Sequence, residues 1–113
     1  MSRIYKLFAI LSLLMFYSCI DCEQSAQTYR KYDLEVVLIE KPTIISDMEF
    51  VGTKINSSEI ITTRIMGRWF RNYIDYMEVG DTVIKRKGEL PLYIHKKDTV
   101  MSFSWDCQGK IYE

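Results

Sequence analysis

Three cysteines and a single histidine are the residues of this 113-residue chain with the widest chemical range. Cys19 and Cys22 lie near the amino terminus, Cys107 near the other end, and His95 between them. A thiolate can attack, ligate a metal or pair into a disulfide, and an imidazole can ligate or carry protons near neutral pH. The spacing supports few of these uses. Two sulfurs and the remote His95 do not complete a tetrahedral metal shell without carboxylates, and nothing singles any out. No metal site and no cofactor are expected. Nucleophilic catalysis needs a nucleophile, a base and an orienting group brought together. His95 lies mid-strand between Ile94 and Lys96, as a surface or rim residue would. Any chain with 15 acidic residues contains pairs of carboxylates, so a glycosidase-type pair carries no information. No catalytic residue is assigned.

Cys19 has a context of its own. Arg3 and Lys6 form a positive region, and Leu7 to Phe16 (LFAILSLLMF) is an apolar run broken only by Ser12. Charge, short apolar core and small residue follow one another as in a secretory signal peptide. Ten helical residues rise ~15 Å, about half of a ~30 Å hydrocarbon layer, too short to span it comfortably. Phe16-Tyr17-Ser18-Cys19 resembles a lipobox, the site where bacterial lipoproteins are cut and acylated. The resemblance implies removal of residues 1–18 and a palmitate-bearing lipid on Cys19. Ordinary signal cleavage and an uncleaved anchor helix from Ile4 to Ile20 are the alternatives. All three place the remainder outside the cytosol.

Acylation of Cys19 would leave Cys22 and Cys107, an even pair in an exported protein, which suggests a disulfide. It would close a loop of about 85 residues, worth roughly 4–5 kcal/mol in the chain-entropy model. Two unpaired thiols, with Cys107 a small buried residue, are the other reading.

Composition bounds the rest. Loss of residues 1–18 removes Arg3 and Lys6 and leaves 13 basic and 15 acidic residues, a formal charge near −2. That balance gives no electrostatic footprint for nucleic acid or an anionic membrane surface. Eleven aromatics beyond residue 18, with many Ile and Val, describe one small globular domain with a modest core.

Residues 20–31 are polar and read as a tether, so the expected organisation is a signal peptide over 1–18, a lipidated amino terminus and tether over 19–31, and one β-rich domain over 32–113. Tyr32 to Glu40 alternates, with Leu34, Val36 and Leu38 on one face, as a half-buried strand does. Lys41-Pro42 ends it, and Thr43-Ile44-Ile45 is a short extension or an edge. Met48 to Ile55 alternates again, with Gly52 marking a bulge or close packing. Glu59 to Met66 is read as a strand from its β-branched residues, despite a capping-box alternative at Asn56 and Glu59, and Gly67 breaks the pattern. Phe70, Tyr73, Ile74 and Met77 fall on one helical stripe, so a helix of two to three turns is expected near 69–78, with Gly80 as its left-handed terminator. Strands follow at Asp81 to Lys87, Leu90 to Lys96 and Thr99 to Asp106, the last with Met101, Phe103 and Trp105 facing the core. Gln108-Gly109 then turns the chain before Lys110 to Glu113. The fold expected is mainly β, with α+β as the alternative: a small antiparallel meander closing into a sandwich or barrel.

Val79-Gly80-Asp81-Thr82-Val83-Ile84-Lys85, then Lys87-Gly88, is the most motif-like stretch. V-x-x-G-D-x-V also occurs in lipoyl- and biotinyl-type barrels, but those carriers display a lysine in M-K-M or D-K-A, and neither tripeptide occurs here. Gly80-Asp81 is therefore read as turn chemistry. The segment from Trp69 to Cys107 is similar to a group of small bacterial lipoproteins with a V-G-D-[ST]-[IV]-[IV]-K strand. The resemblance implies export and a compact β-rich domain, and no activity. Arg64, Arg68 and Arg71, with Lys85, Arg86, Lys87, Lys96 and Lys97, lie near Trp69, Phe70 and Tyr73. They are read as solvated charge, with a surface for an acidic glycan or phosphate headgroup as the other reading. The expectation is a non-enzymatic binding or structural accessory of the bacterial envelope, facing periplasm or cell surface, held to the membrane by lipid and meeting a protein or glycan. A small inhibitor or immunity-type protein with one protein partner is the alternative, and a hydrolase ranks behind both.

Overall fold

In the computed structural model, residues 21–66 and 68–113 are described. The expected signal peptide, Cys19 and Gly67 lie outside the described residues. The chain is mainly β, with nine antiparallel strands, one α-helix and one 3-10 helix among the described residues.

Helix α1 spans Cys22–Arg30, and β1 follows at Leu34–Leu38 with the expected inward Leu34, Val36 and Leu38, all buried. Strands β2 (Thr43–Ile44) and β3 (Met48–Thr53) come next. β1 and β2 pair with the same side of β3 as one interrupted strand. The register runs Leu38↔Gly52 and resumes at Thr43↔Glu49. Residues 39–42 therefore bulge out opposite two residues of β3, and Pro42, which has no N–H to offer a ladder, sits in the bulge. β4 (Ile60–Ile65) pairs with the whole of β3 from the other side.

Gly52 is the tight point of this half of the sheet. A Cβ there would lie 2.1 Å from the Val37 carbonyl oxygen and 2.5 Å from Val36 Cγ2. Close packing, rather than a bulge within β3, is what the glycine permits.

The chain then crosses back through a 3-10 helix, Phe70–Tyr76, to β5 (Thr82–Lys85) beside β1. The stripe expected of an α-helix is present, with Phe70 and Met77 buried and Tyr73 and Ile74 packed against the core. The winding is tighter, and it ends at Tyr76, because Met77 is already extended (ψ 128°). Three aromatics in this short segment, Phe70, Tyr73 and Tyr76, lose rotamer freedom in a helix, and the i→i+3 turn suits a crossover anchored by Phe70. Gly80 has the expected positive φ of 94° but belongs to the turn entering β5, four residues beyond the helix.

β6 (Leu92–His95) and β7 (Val100–Phe103) complete the large sheet, whose spatial order is β4-β3-β1-β5-β6-β7 with β2 extending β1. The expected strand over Thr99 to Asp106 breaks at Ser104. Its second part, β8 (Trp105–Cys107), leaves the large sheet and pairs with β9 (Lys110–Tyr112). Gln108 (φ 53°) and Gly109 (φ 81°) make their tight turn, both left-handed as a two-residue hairpin of matching twist requires.

Helix α1, the 3-10 segment and the β8–β9 hairpin form a second layer over one sheet face. Phe50 of the sheet meets Phe70 edge-on with ring centroids 6.4 Å apart, and Tyr73 lies 4.2 Å from Phe103. Trp69, Phe70, Met77 and Trp105 join Leu34, Val36, Leu38, Met48, Val83, Leu92 and Ile94 in one core. Among the described residues, no helix is long and apolar enough to cross a membrane.

Candidate functional site

The amino-terminal segment, expected as a polar tether, is part of the fold. Asp21 caps α1, its Oδ1 accepting the Gln24 N–H at 3.2 Å. Cys22, Ala26 and Tyr29 recur at i, i+4 and i+7 and face the core, with Ala26 fully buried. The Tyr29 ring sits among Trp69, Phe70 and Trp105 at centroid distances of 6.0, 5.8 and 5.6 Å. Its hydroxyl accepts the Trp69 N–H at 3.3 Å.

Both ends of α1 are fastened. Cys22 is disulfide-bonded to Cys107 of β8, 85 residues away, with Cα atoms 5.8 Å apart. At the other end the Arg30 carbonyl accepts the Gly88 N–H at 2.7 Å, and the Arg30 guanidinium donates to the Glu113 carbonyl. Of the two outcomes left open for Cys22 and Cys107, the bonded pair is the one present. Helix, hairpin and β5–β6 turn are thereby joined into one side of the molecule.

Lys85 belongs to this side too, although its type and its basic neighbours suggested the surface. It shares the parity of Val83 in β5 and pairs across with Leu34, so the sheet directs it inward, where it is fully buried. Its ammonium donates to the carbonyl oxygens of Tyr32 (2.8 Å) and Arg86 (2.7 Å). Burial lowers its pKa to about 8, partly opposed by Asp33 and Glu89. A lysine in this position stitches the end of α1 to the end of β5.

At the opposite end of β5, Asp81 is buried and accepts at Oδ2 both the Glu78 N–H (2.9 Å) and the Lys96 ammonium (2.5 Å). Glu78 adds a longer contact to Lys96 at 3.8 Å. The backbone of the same turn clasps β1, with Gly80 N–H donating to Leu38 O and Leu38 N–H to Asp81 O. Gly80-Asp81 thus builds a turn whose acid is used in capping and in one ion pair. A depression of about 400 Å3 beside it is lined by Lys97, Asp98 and Thr99 as well as this pair.

The basic residues do not assemble into a patch with the aromatics. Trp69 and Phe70 are buried. Arg64 pairs with Glu49 at 3.0 Å, Arg71 donates to the Ser46 carbonyl, and Arg86 lies over the Tyr93 ring at 5.1 Å. His95 is half-buried on the other sheet face, opposite Thr82 and Val100. Among the described residues no group of three or more His, Cys, Asp or Glu could hold a metal ion.

Set against known proteins, the chain matches no family model, no curated protein and no solved structure.

Proposed function

We propose that this chain is an exported, lipid-anchored envelope domain that acts by binding rather than by catalysis. The observation that carries the reading is the bond between Cys22 and Cys107, which leaves Cys19, at the end of the signal-like segment, as the one cysteine outside the pair. Persistent disulfides belong to oxidising compartments, and an unpaired cysteine at a lipobox-like cut is the residue an acyl anchor would use. Two further features support binding over chemistry. Among the described residues, the buried ionisable side chains, Lys85 and Asp81, are engaged by carbonyls, an N–H and one ion pair. The exposed surface instead offers the edge strand β4, with Ile60 and Thr62 outward, and shallow depressions such as the one beside Asp81.

The test is palmitate labelling with membrane fractionation of wild type and Cys19→Ala. Label on the wild type alone, and release of the variant from the membrane, is the expected result. No label on the wild type with the variant still membrane-bound would defeat the reading. Crosslinking and co-purification from envelope extract then identify the bound partner. One stoichiometric protein would move the role toward an inhibitor or immunity-type protein, and a glycan or no protein toward an accessory.

A further inference from the structure

The fastening of α1 has a geometric consequence for the anchor. Only Ile20 and Asp21 separate Cys19 from Cys22. Three residue steps reach at most about 11 Å between Cα atoms, and Cys22 is itself the first residue of a docked, capped helix bonded to β8. No length of free chain remains to hold the domain away from the lipid.

We infer that one defined pole of the domain is seated on the phospholipid headgroup layer: the tip of the β8–β9 hairpin, with Gln108 and Lys110, beside the Asp21–Cys22 end of α1. This rests on the reading that Cys19 carries the acyl anchor. The opposite pole is also defined. Nine helical residues rise 1.5 Å each, about 12 Å from Cys22 to Arg30. There the Arg30 carbonyl holds Gly88, so the Arg86–Glu89 turn and Glu113 lie at the far end of the helix from the anchor.

The chemistry of the seated pole fits a polar contact held by the anchor rather than by charge. Gln108, Gly109 and Lys110 are exposed, and Lys110 is accompanied by the exposed acids Asp21, Glu23 and Asp106. Such a pole carries no polybasic cluster of the kind that binds anionic lipid. Seating should therefore be the same on zwitterionic as on anionic vesicles.

The experiment uses the full-length protein, purified in its processed form and reconstituted into phosphatidylcholine vesicles containing lipid with a headgroup nitroxide. Tryptophan is introduced by Lys110→Trp at the seated pole or Lys87→Trp at the far one. The emission of the buried Trp69 and Trp105 is subtracted from a wild-type sample. Quenching several-fold stronger in Lys110→Trp than in Lys87→Trp is expected, unchanged when phosphatidylglycerol is added. A Gly/Ser insert of about ten residues after Ile20, spanning roughly 17 Å, should erase the difference. Equal or reversed quenching in protein whose mass shows the acyl chains would overturn the seating while leaving the anchor intact. A protein with no acyl mass and no vesicle binding would overturn the anchor reading and the seating with it.

Discussion

Cys22 and Cys107 are joined across 85 residues, and their bond lies where helix α1 meets the β8–β9 hairpin. The pairing turns a stretch of polar residues into a structural element. It also closes the side of the molecule on which Tyr29, Trp69 and Trp105 pack.

Removing both sulfurs in Cys22→Ala/Cys107→Ala should lower unfolding free energy by roughly 2–5 kcal/mol, the range for long native loops. The urea midpoint, read by tryptophan emission, checks this. An unchanged midpoint would mean that the aromatic packing of α1 alone holds the helix in place.

Gly52→Ala should cost about 2 kcal/mol or more, because the added methyl meets the Val37 carbonyl, which cannot swing aside as a side chain would. Gly88→Ala is the comparison. Its φ of 86° strains an L-residue but the space around it is open, so about 1 kcal/mol is expected. Thermal unfolding of the two variants should rank them in that order, and equal costs would refute the close approach of β1 and β3.

Lys85 gives stability a dependence on pH with a definite sign. Its folded pKa, about 8, lies below the ordinary value of 10.5, so between these values the unfolded chain binds more protons than the folded one. Stability contributed through this residue is lowest below pH 8 and rises as pH climbs toward 10.5, by at most about 3 kcal/mol. Tyr32 and Tyr73, whose pKa values burial raises, act in the opposite sense at higher pH. Wild type minus Lys85→Met cancels their part. The difference in unfolding free energy should grow with pH over this window, and a flat difference would show that the amine is solvated.

Asp81 and Lys96 should be coupled. In a double-mutant cycle of Asp81→Ala and Lys96→Ala, urea unfolding should give a coupling energy of about 1–3 kcal/mol, since one partner is buried. Asp81→Ala should cost more than Lys96→Ala, because it also strands the Glu78 N–H. Additive single effects would place the pair in solvent.

Strand positions were legible where one face was apolar and the other polar: Leu34, Val36 and Leu38, or Met48 and Phe50, needed only their parity. Helix α1 was not, because the polar residues around Ala26 and Tyr29 outweigh the two that pack. Its signals were Asp21 with Gln24 at capping spacing and the i, i+4, i+7 series from Cys22. The break at Ser104 left no mark, since Met101, Phe103 and Trp105 keep one alternation while the chain passes from one sheet to another. Burial of Lys85 was written in the parity of Val83, but a lysine's usual preference for water argued against it. The site fared similarly. The sequence offered the Cys22–Cys107 pair through its count of cysteines, and nothing in it placed the Arg30–Gly88 contact at the other end of α1, a product of tertiary packing alone.

The intact mass of the protein purified from membranes without reductant reads the anchor and the disulfide together. A chain beginning at Cys19 is expected, heavier by its acyl groups and lighter by the two hydrogens of a Cys22–Cys107 bond. A chain that begins at Met1, or one with unmodified Cys19 and reduced Cys22 and Cys107, would contradict both the anchor and the disulfide.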